Sequence, residues 1–465
     1  MLTLSGQRAT PEQLPIISGT RMGIEIIRGA AGSGKTTTAL LRLESLGHTF
    51  AARRARLGTA EPVKILVLTF NRTLAGYVEQ LASTQLAGLT DISWSVQTFG
   101  AWASRHTGNP TILDDDPRAD FFRTHGTGIN LQPDFLLHEI DYVCGRFPTG
   151  NLDDYLTVER TGRGPTPQVA APMRQRMLDL IRNYHSWIAA RGYGDWNLLA
   201  QQMLQIDPLM YDIVIIDEAQ DFSANQLRAV NHHLAEQHCV TLVMDTAQRL
   251  YPRGFTWAES GLNMTNARFH RLRTNHRNTV EIAAFAAGIL DGLRVDEDGT
   301  TPDLTGATRH GALPIVCRGY YHQQVSFALD WISNNVDLRT ETVAFLKPMG
   351  GGWFKTLRAA LRTKGLPFTE ITQERDWPQG PENIALSTMH SSKGLEFDHV
   401  IIIGLSAQNT PSEDEDDDDE FQVKRRLLAM AVARARKSVI VGYKPAEASN
   451  LVRFFVNGTF VQRDL

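Results

Sequence analysis

The sequence predicts an α/β protein with two similar halves, each built on a parallel sheet covered by helices. Three observations carry that expectation. Strand-length apolar runs alternate with helix-length amphipathic runs along most of the chain. A glycine-rich loop, GAAGSGKTT at Gly29–Thr37, lies between one such strand and one such helix. The run DIVIIDE (Asp212–Glu218) ends on adjacent acids, Asp217 and Glu218. Its four central apolar residues suit a strand buried on both faces.

Taken in order, GIEIIRG (Gly23–Gly29) reads as a strand, KTTTALLRLESL (Lys35–Leu46) as a helix and VKILVLTF (Val63–Phe70) as a strand. Residues from about 107 to 204 differ in style. They are helical in places, as in MRQRMLDLIRNYHSWIAARG (Met173–Gly192), and read as an insertion. Strands return with YDIVIID (Tyr211–Asp217) and CVTLVMD (Cys239–Asp245). In the second half LPIVCRG, ETVAFLKP, NIALSTMH, HVIIIGL and SVIVGY read as strands. WFKTLRAALRTKG (Trp353–Gly365) and FQVKRRLLAMAVARAR (Phe421–Arg436) read as helices. Alternation of this kind implies parallel sheets with helices on both faces.

The 465 residues suffice for two or three domains, and 42% hydrophobic with 21% charged residues is ordinary for a soluble globular chain. No apolar run reaches the roughly 18 residues a membrane span needs. The start, MLTLSGQRATPEQ, lacks the basic-then-apolar pattern of a secretory signal. Cys144, Cys239 and Cys317 are far apart, fit no metal spacing and suit a reducing compartment. A cytoplasmic location is the expectation. The net charge of −4 argues mildly against a nucleic-acid partner, but SEDEDDDDE (Ser412–Glu420) holds eight acids, and setting them aside turns the balance to +4. That run reads as a solvated loop, or as an acidic flap that mimics or repels DNA.

The loop Gly29–Thr37 satisfies G-x-x-x-x-G-K-[ST] in its strand–loop–helix setting. Its residues Gly29, Ala30, Ala31, Gly32, Ser33 and Gly34 can turn backbone N–H groups toward a phosphate, and the following helix start favours negative charge. Lys35 is placed for the β and γ phosphates, Thr36 for Mg²⁺, and Thr37 follows in the first turn. Asp217 is the candidate second metal ligand and Glu218 the candidate general base. ATP and Mg²⁺ are the implied ligands.

With these blocks on the page, the DEAQD that follows the loop resembles that of the UvrD/Rep type of superfamily 1 DNA helicases, in a compact form. The resemblance implies two RecA-like domains with ATP between them and single-stranded DNA across both. It makes Gln13 the adenine-reading glutamine. It places Thr69, Phe70 and Asn71 of VLTFNRTLA at DNA, and Thr98 of VQTFGAWA at a DNA phosphate. In VMDTAQRLY it makes Gln248 a γ-phosphate sensor and sets Tyr251 near DNA. LRTNHRNT supplies His276 as the adenine-stacking side chain and Arg277 as one arginine at the γ-phosphate. ALSTMHSSKGLEFDHVII puts Thr388 and His390 near DNA and Glu396 near the ribose. RRLLAMAVARAR provides Arg434, the second arginine, on a helix facing the cleft. Phe70, Tyr251 and Trp257 are the stacking candidates, with core packing as the plain alternative.

The chain also departs from that pattern. After the glutamine it reads LYPRGFTWAESG, so Trp257 arrives late, and Ala433 and Ala429 stand where the family has threonine and tyrosine. Only about 105 residues separate Arg277 from the Ser387 block, so the regulatory insertion of larger relatives is expected to be absent or vestigial. Arg160 and Arg163 in ERTGRGPTP could meet phosphate, or belong to a polar loop. The expected plan is residues 1–106 and 205–270 as the first RecA-like domain, 107–204 as a helical insertion, and 271–465 as the second domain with its acidic loop at 412–420. The expected activity is a 3′→5′ single-stranded DNA translocase or helicase acting on single-stranded or partly duplex DNA. The alternative is an ATP-gated switch subunit beside a partner nuclease, in repair or antiphage defence.

Overall fold

The computed structural model describes residues 1, 9–29, 32–129, 131, 133–158, 169–244, 257–293, 306–348, 353–372, 377–378, 380–410 and 419–465. Two large sheets organise the chain, and every strand pair in them is parallel. Across the first sheet the strands run Ile92–Thr98, Val63–Thr69, Tyr211–Ile216, Leu234–Met244, Gly23–Gly29 and Arg268–Leu272. Across the second they run Phe368–Glu370, Ile384–Thr388, Val343–Lys347, Phe397–Leu405, Ala435–Tyr443, Ile315–Arg318 and Val461–Asp464.

The strand Tyr211–Ile216 shows why apolar runs are needed here. Ile213 and Ile215 join one core cluster while Val214 and Ile216 join another on the opposite face. Val63–Thr69 divides in the same way, with Ile65 and Val67 on one side and Leu66 and Leu68 on the other. Full burial of such a side chain contributes roughly 1.5–3 kcal/mol, so each strand is fixed in place from both faces.

Residues 113–188 hold a separate apolar cluster centred on the helices Asp115–His125, Pro133–Arg146 and Ala171–Ala189. This block is tied to the first sheet by Asn225 Nδ2, which donates to the carbonyls of Cys144 and Phe147 at 2.8 and 2.9 Å. Between Arg277 and Ser387 the described strands are members of the second sheet, apart from Ala307–Arg309, which pairs with Asn275–Thr279.

One core cluster crosses from the first half to the second. Tyr77, on the helix Arg72–Leu86, packs edge-on against Trp377 at 5.0 Å. Thr73 Oγ1 donates to the Ile371 carbonyl at 3.3 Å. Gly394, with φ of +81°, sits so close to Leu74 that a Cβ there would lie 2.6 Å from it. The two halves are therefore joined by apolar contact as well as by polar groups.

Two boundaries differ from the expectations. The helix after the glycine-rich loop runs on to Leu57 and ends at Gly58, in the left-handed region at φ 67°. The helix expected over Phe421–Arg436 ends at Val432, and a strand begins at Ala435. Arg434 thus lies in the turn after the helix rather than on it, because its backbone already bonds to Phe397 at the start of the neighbouring strand. The helix Ala224–His232 is capped by Ser223 and Gln226, a reciprocal capping box.

Candidate functional site

A parallel sheet presents its working groups beyond the carboxyl ends of its strands. Gly29, Thr69, Thr98 and Asp217 all stand at or just past that edge of the first sheet. Thr69 and Thr98 are register partners on neighbouring strands, and the Asp217 N–H donates to the Leu68 carbonyl.

The cradle follows directly. Gly32 and Gly34 take φ of +80° and +77°, a left-handed conformation that glycine adopts without the cost a Cβ brings. Lys35 Nζ donates to the Gly29 carbonyl at 2.9 Å, which bends it back over the loop. Thr36 Oγ1 lies 3.0 and 3.1 Å from the two Asp217 carboxylate oxygens. Thr37 is half-buried in the same turn. Ala30 and Ala31 lie outside the described residues.

Gln13 is buried against the cradle. Its Nε2 donates to the Ser33 carbonyl at 3.2 Å, and its Oε1 accepts from the Thr10 N–H at 3.0 Å. Ser33 Oγ is buried with no hydrogen-bond partner among the described residues.

The acids at the strand end have different surroundings. Burial raises Asp217 well above the usual carboxylate range, and the charge of Glu218 adds to the effect. A dication between Asp217 and Thr36 would relieve that cost, so these two residues fit Mg²⁺. Burial also opposes ionisation of Glu218, but the cations of Lys393, Arg434 and Lys35 outweigh it and hold Glu218 low. Glu218 takes φ of 54°, one of three described non-glycine residues with positive φ. Such backbone strain at a polar, buried position marks functional sites. Gln220 Nε2 donates to Glu218 Oε2.

The second half closes over this cradle. The His276 N–H donates to the Gly32 carbonyl at 3.0 Å, and the His276 ring is exposed beside it. Arg277 pairs with Glu396, and its Nη1 is 3.5 Å from the Ala433 carbonyl. Its Nε is buried without a hydrogen-bond partner among the described residues. Arg277, more than any other cation, holds Glu396 below its usual range against burial. Arg434 is 3% exposed, and its Nη1 lies 3.5 Å from the Leu395 carbonyl.

The candidate DNA positions are more dispersed. Phe70 is 39% exposed, as a stacking platform requires. Asn71 caps the helix Arg72–Leu86 and Thr98 caps the helix Phe99–His106. Thr69 is buried, its hydroxyl donating to the Asn71 carbonyl at 3.2 Å. Trp257 is half-buried and packs on the core of the first sheet. Thr388 ends a strand of the second sheet and accepts from the Ser391 N–H at 3.0 Å, while His390 is exposed in the same turn. Gln248 and Tyr251, like Arg160, Arg163 and residues 412–418, lie outside the described residues.

Two residues outside the expected set belong to this centre. Lys393 is buried and pairs with Asp221, with Glu218 Oε2 at 3.6 Å. Asn275 supplies the side chain that closes on Gly32. Lys393 stands in the quoted block beside Thr388, His390 and Glu396, but nothing in its spacing distinguishes a buried lysine from a solvated one.

The fold and this cleft define a parallel α/β protein with a G-x-x-x-x-G-K-[ST] loop in one half and Arg277 of the other half packed against its Gly32. Residues 355–445 match the UvrD-like helicase C-terminal domain family. That part of the chain, which holds Thr388, Lys393, Glu396 and Arg434, is similar to UvrD-like helicase C-terminal domains. A stretch of 88 residues is 36% identical to the ATP-dependent DNA helicase Rep of Buchnera aphidicola subsp. Schizaphis graminum (strain Sg). The match covers 19% of this chain and 12% of that relative. Among solved structures, the C-terminal domain of a possible DNA helicase from Lactobacillus plantarum WCFS1 is 23% identical over 41% of this chain and 99% of its own, with a TM-score of 0.30. Among the described residues no helix is long and apolar enough to cross a membrane.

Proposed function

We propose that this chain is an ATP-driven motor on single-stranded DNA, a translocase or helicase moving 3′→5′, built from two RecA-like halves with a helical insertion over 107–204. The observation that carries the reading is the convergence of Arg277, Glu396 and Arg434 from the second half on Lys35, Thr36, Asp217 and Glu218 of the first.

In this reading Lys35 leaves the Gly29 carbonyl for the β and γ phosphates, and the loop N–H groups hold the phosphate oxygens. Thr36 and Asp217 would hold Mg²⁺, which would supply charge neutralisation to the phosphates when bound. Glu218, kept ionised by its cationic neighbours, accepts the proton of the attacking water. Arg277 and Arg434 stabilise the charge that develops on the γ-phosphate, a contribution worth about 10³–10⁵ in rate for such arginines. Because they belong to the second half, hydrolysis depends on closure. His276 and Glu396 flank the nucleoside, with Gln13 behind the loop, and Gln248 is assigned to the γ-phosphate by resemblance. The DNA track is assigned to Phe70, Asn71 and Thr98 on one sheet edge and to Thr388 and His390 on the other half, with Thr69 shaping the loop and Tyr251 and Trp257 further along.

Lys35→Ala tests the cradle. Steady-state phosphate release should vanish while the circular dichroism spectrum and melting midpoint stay near wild type. Hydrolysis retained in that variant would refute the site.

A further inference from the structure

The segment 389–396 has an unusual course. The strands Ile384–Thr388 and Phe397–Leu405 both pair in parallel with Val343–Lys347. Thr388 is level with Lys347, whereas His399 is level with Val343. The segment must therefore travel back along the sheet, roughly 20 Å at strand rise. One end carries Thr388 and His390 at the proposed DNA edge, and the other carries Glu396 in the cleft. Lys393 sits between them.

Among the described residues, three groups of the first half lie against its ammonium, and Arg434 of its own half adds a like charge nearby. Asp221 pairs with it directly, the Glu218 carboxylate is 3.6 Å away, and the Phe70 ring centroid is 5.4 Å away. The Lys393 and Asp221 side chains are 1% and 0% exposed. The turn is seated by Gly394 against Leu74, where no Cβ fits. A buried lysine between two carboxylates stays charged despite the cost of burial.

We propose that Lys393 is a positioning residue that holds Glu218 for hydrolysis and links it to the DNA-facing Phe70, so that strand occupancy sets the hydrolysis rate. This rests on the motor reading above. A strand stacking on Phe70 competes for the ring face that the ammonium now occupies. The ammonium then shifts its weight toward Glu218 and Asp221. One cation thus reports both the track and the closure of the halves.

The test compares ATP hydrolysis by the full chain with and without oligo-dT, for wild type, Lys393→Met, Lys393→Arg and the double variant Lys393→Met/Asp221→Asn. The double variant removes both buried charges, so a loss due only to an unpaired Asp221 would be repaired in it. The expected result is a DNA-stimulated kcat lowered by about 10–100-fold in Lys393→Met, with KM for ATP nearly unchanged. The double variant should remain equally slow, and Lys393→Arg should recover part of the rate. Wild-type kcat in the double variant would reduce Lys393 to a structural ion pair and overturn the proposal. Stimulation retained in Lys393→Met would overturn it while leaving the motor reading intact. A wild-type protein without DNA-stimulated hydrolysis would overturn both.

Discussion

Gly32 shows how much one residue can carry. Its φ of +80° excludes other side chains at low cost, and a Cβ would lie 2.6 Å from that of Arg277 and against the Asn275 carboxamide oxygen. The glycine spacing was legible in the sequence, but the closing wall was not, because Asn275 lies some 240 positions away. Gly32→Ala should weaken ATP binding by about tenfold or more, since the loop must open to admit the methyl group. The strain of roughly 1–2 kcal/mol should lower the melting midpoint by about 1–2 °C for a chain of this size. Unchanged affinity in a titration with a fluorescent ATP analogue would contradict the assigned role of the loop. Asp217 and Glu218 were equally plain, since four apolar residues leading into two acids have few other uses. Lys393 and Asp221 were hidden: each is an ordinary charged residue until the fold buries them together.

The secondary-structure elements divide along the same physical line. Strands buried on both faces, such as Tyr211–Ile216 and Phe397–Leu405, were visible as continuous apolar runs. The strand Val461–Asp464 lies at a sheet edge with all four residues exposed, so no pattern announces it. The helix before Arg434 ends earlier than its composition implies, because LLAMAVARAR keeps helical composition beyond the point where the chain joins the sheet. Where elements meet, His233 makes a specific commitment. At the end of the helix Ala224–His232, its Nδ1 accepts from the Leu209 N–H at 3.1 Å and its Nε2 donates to the Met203 carbonyl at 3.0 Å. That pattern requires the neutral ring, and burial, then the neighbouring His232, lowers its pKa from 6.5 to about 4. The unfolded chain therefore binds the extra proton first. Stability is full above about pH 6.5 and declines as the pH falls toward 4, by up to about 3 kcal/mol. The melting midpoint should drop across this window, and the slope should flatten in His233→Gln. An identical slope in the variant would show that other groups carry the acid sensitivity.

At the scale of the whole molecule, the two sheets meet through one apolar core and a polar cleft. The apolar contacts of Tyr77, Trp377 and Leu74 keep the halves together, while Arg277, Lys393 and Arg434 line the cleft, where the proposed chemistry would depend on their being together. In the proposed motor, this division would let closure be graded without dissociation. The central claim is that single-stranded DNA and the hydrolytic centre are coupled through that closure. The measurement that tests it most directly is steady-state ATP hydrolysis with and without single-stranded DNA, in wild type and in Glu218→Gln. Strong stimulation in wild type, abolished in the variant, is the predicted result. A rate that is the same with and without DNA would contradict the motor and point to an ATP-gated switch.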